Sequence, residues 1–164
     1  MLNFKEFGFD ERLMEWIEAI NSETATPVQE KVIPLVIAGK DLIASAQTGT
    51  GKTAAYLLPI IHKIIIEKQD DHINALVIVP TRELAIQIAQ NLEGLSYFTP
   101  ISSIAVYGGG DGESFSIEKR ALSKGADIVI CTPGRMISHL NQGYVKINRL
   151  QYLVLDEADR MLDM

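Results

Sequence analysis

Asp41-Leu42-Ile43-Ala44-Ser45-Ala46-Gln47-Thr48-Gly49-Thr50-Gly51-Lys52-Thr53 reads as a short apolar strand, a glycine-rich turn and the opening of a helix at about Lys52. Strand, turn and helix in that order form the setting of a phosphate-binding loop. Glycines let the backbone curl until several N–H groups point inward at an anion. The helix N-terminus adds partial positive charge. Lys52 can reach the β- and γ-phosphates of a nucleotide, and the Thr53 hydroxyl can ligate Mg²⁺. One departure stands out: the general pattern opens on glycine, and here the position is Ala46.

Working outward, four more apolar runs alternate with helical patterns. Ala75–Val79, Ser103–Tyr107, Asp127–Cys131 and Tyr152–Leu155 read as strands. Helices are expected from about Glu83 (Leu84, Ile88 and Leu92 on one stripe), over Phe115–Ser123 and from Gly134 to Leu140. Uniformly apolar strands predict burial on both faces. Alternation predicts an α/β fold with a parallel sheet flanked by helices and right-handed crossovers. Ligands of such sheets sit beyond the carboxyl ends of the strands. The segment before Asp41 is helical and stands outside the alternation, with Leu13, Trp16, Ile17 and Ile20 at core spacing. At the end of the last strand come Asp156-Glu157-Ala158-Asp159. Asp156 suits the Mg²⁺ shell and Glu157 the polarisation of an attacking water. Taken alone, the same acids also suit the N-terminus of a following helix.

The 164 residues are enough for one domain with a real core. No apolar stretch approaches the roughly 20 residues of a membrane span, and the N-terminus lacks the pattern of a signal peptide. The lone cysteine, Cys131, precludes a disulfide framework within the chain and fits a reducing, cytoplasmic setting. His62, His72 and His139 have no metal-site spacing and are expected at the surface or in packing. A net charge of -6 argues against a broadly basic nucleic-acid domain. Any nucleic-acid binding must rest on a few placed donors and be weak and salt-dependent in this chain.

Five motifs then fall in order: Ala46 to Thr53, Pro80-Thr81-Arg82-Glu83-Leu84, Gly108-Gly109, Thr132-Pro133-Gly134-Arg135 and Asp156-Glu157-Ala158-Asp159. Together they resemble the DEAD-box ATP-dependent RNA helicases, in which alanine at the Ala46 position is usual. The resemblance implies a RecA-like P-loop NTPase domain, with ATP and Mg²⁺ as cofactors and Lys52, Asp156 and Glu157 as catalytic residues. It places Thr53 and Asp156 on the metal, and Ala46, Gln47, Thr48, Gly49, Thr50, Gly51, Lys52 and Thr53 on the phosphates. Upstream, Thr26-Pro27-Val28-Gln29 resembles the family's adenine-reading motif, with Gln29 offering an amide that both donates and accepts. Phe4 stands where the family has an isolated aromatic, a position equally suited to core packing. Asn21-Ser22 and Ala25 depart from the family, since Ser22 cannot stack on adenine, and imply somewhat weaker nucleotide binding.

By the same resemblance, Pro80, Thr81, Arg82, Gly108, Gly109, Thr132, Pro133, Gly134 and Arg135 would hold the RNA backbone without reading its sequence. The alternative for Arg82 and Arg135 is salt bridges that hold loops. The implied organisation is a helical adenine-motif region over 1–40 and a P-loop α/β core over 41–164. That core lacks the family's later Ser-Ala-Thr strand and second RecA-like domain. The expectation is therefore a C-terminally truncated domain whose sheet has a central gap. Either the chain was cut, or another copy fills the gap by self-association. Such a chain is expected to bind nucleotide weakly and to unwind nothing by itself. Competing readings are a nucleotide-gated RNA clamp without useful turnover and another phosphate-loop enzyme, such as a kinase or GTPase.

Overall fold

The computed structural model describes residues 1–163; Met164, the last residue of the α/β core expected over 41–164, lies outside the described residues. The chain divides into two compact units, Met1–Glu67 with Gly94–Pro100, and Lys68–Glu93 with Ile101–Met164.

In the first unit a short 3-10 helix, Phe4–Phe7, precedes α1 (Glu11–Ala19), α2 (Pro27–Ile37), α3 (Lys52–Glu67) and the one-turn α5 (Leu95–Phe98). Asp10 caps α1, its carboxylate accepting from Arg12 N at 2.9 Å. Leu13, Trp16 and Ile17 are buried as their spacing predicts, whereas Ile20, just past the helix, is half exposed. α2 and α3 pack together.

The predicted strand at Asp41–Ser45 does not form. Leu42 and Ile43 are exposed, Ile43 completely, and the segment runs unpaired into the turn. A strand exists through its hydrogen-bonded neighbour. Apolar composition supplies a face to bury but not the ladder, and no neighbour is present for this segment among the described residues.

The second unit carries a four-stranded parallel sheet: β1 (Ala75–Ile78), β2 (Ser103–Val106), β3 (Ile128–Cys131) and β4 (Tyr152–Leu155), in the order β2-β3-β1-β4. Ala75 pairs with both Ile128 and Tyr152, and Ser103 with Ile128. Around the sheet lie α4 (Arg82–Asn91), α6 (Gly112–Lys124), α7 (Pro133–Leu140) and α8 (Ala158–Leu162). Burial on both faces holds for the inner strands β1 and β3 but not for the edges. In β4 burial alternates, leaving Leu153 and Leu155 more than half exposed.

One face of the sheet, through Leu76, Val106, Val129 and Cys131, packs on Leu122 of α6 and Met136 of α7. At the amino ends, buried Asp127 ties three strands together. Its carboxylate accepts from Asn74 Nδ2 at 3.1 Å and from Ser102 N at 3.0 Å. Cys131 is fully buried, and loss of hydration pushes its thiol up to about 12. No thiolate is available near neutral pH. Ellman's reagent is therefore expected to leave the native chain unmodified and to react once denaturant is added. Labelling of the folded chain at the denatured rate would contradict this packing.

Candidate functional site

The turn after Ser45 is shaped by two glycines with left-handed φ, Gly49 at 85° and Gly51 at 83°. Thr50 closes it, its hydroxyl donating to Gln47 O at 2.6 Å. α3 then begins at Lys52, which sets a helix N-terminus, with its partial positive charge, directly after the turn. Gln29, buried in the first turn of α2, donates from Nε2 to Gly51 O at 3.0 Å. Its Oε1 accepts from Thr26 N at 2.9 Å. A Cβ on Gly51 would press on that amide and be strained by the left-handed φ, so the position favours glycine. The Thr26 hydroxyl is buried with no hydrogen-bond partner. Gln29 keeps one N–H and one lone pair for a ligand. Phe4, by contrast, is 2 % exposed and tilts against Phe7, a core position that presents no open ring face.

In the second unit, Asp156 follows β4 directly and is buried, its N–H donating to Ile78 O at 3.0 Å. Glu157 has φ 54°, a left-handed conformation unfavourable for a side chain with a Cβ. Its carboxylate accepts from Arg160 Nη1 at 2.8 Å. Among the described residues there is no group of three or more His, Cys, Asp or Glu able to cage a metal. A buried carboxylate such as that of Asp156 is the type of oxygen donor that Mg²⁺ takes, with phosphates and water completing the shell.

The expected RNA residues gather at the carboxyl ends of three adjacent strands. After β1, Thr81 caps α4, its hydroxyl oxygen accepting from Leu84 N at 3.2 Å. Arg82 follows and lies against the loop after β2, where a Cβ on Gly109 (φ 93°) would enter its guanidinium. After β3, Thr132-Pro133-Gly134 opens α7, and the Thr132 side chain makes no capping bond. Gly108 and Gly134 have no structural need to be glycine, since a Cβ at either meets nothing within 4 Å. They leave backbone open to close approach.

Arg135 is tied down. Its Nε donates to Glu118 Oε2 at 2.8 Å, and its guanidinium sits 4.8 Å from the Phe115 ring centroid. The same Glu118 oxygen lies 2.7 Å from His139 Nε2, and His139 Nδ1 bonds to the Tyr144 hydroxyl. His139 is fully buried and stacks on Phe115 at 4.1 Å. Burial first, then the Glu118 charge, raises the Tyr144 phenol, which keeps its proton to donate. Sequence reasoning did not single out Glu118. The signal was present: Phe115, Glu118 and Leu122 fall on one helical stripe, and a carboxylate there needs a buried partner.

The sequence profile of the DEAD/DEAH box helicase family matches residues 26–164. The chain is 50% identical, over its whole length, to an ATP-dependent RNA helicase, CshA, of Listeria monocytogenes, covering 31% of that protein. It is 42% identical to the DEAD-box helicase CshA of Geobacillus kaustophilus, covering 34% of it. A mouse RNA helicase, DDX42, is 42% identical over 165 residues, 17% of its length. The chain thus spans about a third, or less, of these curated relatives.

Proposed function

The chain belongs to the DEAD/DEAH box helicase family, and from that membership we propose that it is the ATP- and RNA-backbone-binding part of an RNA-dependent ATPase. The observation that carries the reading is the bond from Gln29 Nε2 to Gly51 O at 3.0 Å. The residue suited to an adenine edge is built into the turn suited to phosphates, as one purine nucleotide would require.

In this reading the N–H groups of Gln47 to Thr53 and the start of α3 hold the phosphates, and Lys52 balances charge at the β- and γ-positions. Thr53 and Asp156 hold Mg²⁺, which when bound neutralises phosphate charge. Glu157 orients the attacking water and accepts its proton. Arg82, Arg135 and the glycine-opened loops hold RNA phosphates, giving affinity without sequence preference. The partners are single-stranded RNA and a second RecA-like domain of the same protein. The open edge of β4 takes a strand from elsewhere in that protein or from a second copy. Among the described residues no helix is long and apolar enough to cross a membrane, and a cytoplasmic location suits the single buried thiol.

The test is phosphate release by the protein at its full natural length, with and without RNA, on ATP and GTP. RNA-stimulated turnover of ATP and not GTP is expected. Gln29→Ala should raise the KM for ATP about tenfold, the loss of one or two buried hydrogen bonds. Equal use of GTP, or indifference to Gln29→Ala, would count for another phosphate-loop enzyme.

A further inference from the structure

Building on that reading of Arg135, we propose that Glu118 is a positioning residue that aims Arg135 at an RNA phosphate. Arginine is a rigid fork whose Nε and Nη donors point in different directions. Here Glu118 takes Nε at 2.8 Å and the Phe115 ring covers one face at 4.8 Å. The fork can then present only its Nη groups. Nη2 is buried and has no hydrogen-bond partner. It points to the glycine loop, where a Cβ on Gly110 would lie 3.8 Å away. A buried charged donor without an acceptor is costly, and an incoming phosphate oxygen would relieve it.

The aim is set from behind. Glu118 is 7 % exposed and shares Oε2 between Arg135 and His139 Nε2. With Nε2–H donating to Glu118, His139 Nδ1 accepts from the Tyr144 hydroxyl. Stacking on Phe115 fixes the imidazole plane. Tyr144, His139, Glu118 and Arg135 thus form one relay from the α7–β4 connection to the RNA-facing loops. Simple neutralisation of Arg135 would require Glu118 alone.

A double-mutant cycle separates positioning from a merely structural ion pair. Affinity for a fluorescent single-stranded oligouridylate is measured in the protein at its full natural length, with a non-hydrolysable ATP analogue, over a salt series. Arg135→Ala should weaken binding about tenfold and reduce the slope of log affinity against log salt by about one. Glu118→Gln, which keeps size and an acceptor oxygen, should weaken it about threefold alone and add nothing once Arg135 is gone. Tyr144→Phe should show the same dependence on Arg135, and it decides the matter if Glu118→Gln fails to fold. Losses that multiply, or no loss from either variant, would overturn the positioning role. No effect of Arg135→Ala would instead overturn its contact with RNA, and the proposal with it.

Discussion

Glu157→Gln is expected to lower RNA-stimulated ATP turnover by about 10²- to 10⁴-fold, the usual contribution of a positioned general base. Affinity for ATP and RNA should change far less, because the amide keeps the shape of the carboxylate and one acceptor oxygen for Arg160 while losing its basicity. The backbone at this position sharpens the prediction. Glu157 sits at φ 54° between the buried Asp156 and the first residue of α8. A left-handed conformation costs a residue with a Cβ about 1–2 kcal/mol, and such strain gathers at functional positions. The matching control is Glu157→Gly, which removes the strain and the base together. It should melt at a higher temperature than the parent and hydrolyse no faster than Glu157→Gln. Single-turnover hydrolysis and thermal unfolding of both variants check this. Unreduced turnover in Glu157→Gln would show that the acid serves only as the start of a helix, whereas a nucleotide-gated clamp would keep its function in this variant although turnover is lost.

Gly125→Ala is expected to destabilise the fold by about 2–5 kcal/mol, the sum of a left-handed backbone penalty and overpacking against a rigid neighbour. Gly125 ends α6 at φ 85°, its N–H donating to Ala121 O at 3.0 Å. A Cβ there would strike the backbone of Asp71 and His72, which cannot rotate aside as a side chain could. Asp71 is itself left-handed at φ 60°, so the two turns are locked against each other. The unfolding midpoint should fall by roughly 10 °C for a chain of this size. A fall of less than about 2 °C would mean that the close approach of these turns is not maintained in solution. Because α6 carries Phe115 and Glu118, RNA affinity should fall with stability in this variant, whereas in Glu157→Gln it should not.

How far the sequence is legible follows from which signals are local. The runs at Ala75, Ser103, Ile128 and Tyr152 are readable as strands because each is apolar and ended by Pro, Gly, an acid or, after Cys131, Thr-Pro. The left-handed turn at Gly49 to Gly51 and the start of α3 at Lys52 were readable for the same reason, since glycine and helix capping act within a few residues. Asp41–Ser45 looked no different from these runs and yet is not a strand. Its apolar side chains were visible, but the neighbour that would make it a strand was not.

The sequence by itself determined the alternation of helix and strand, the phosphate-loop turn and the order of the motifs, because these depend on side-chain type and short-range backbone geometry. Tertiary structure alone decided that Asp41–Ser45 forms no strand, that Phe4 is enclosed in the core, and that Arg135 answers to Glu118, His139 and Tyr144. Those outcomes depend on burial and on hydrogen-bond partners many positions away. Such a partner leaves no local trace beyond a charge, like that of Glu118, on a stripe that should be apolar.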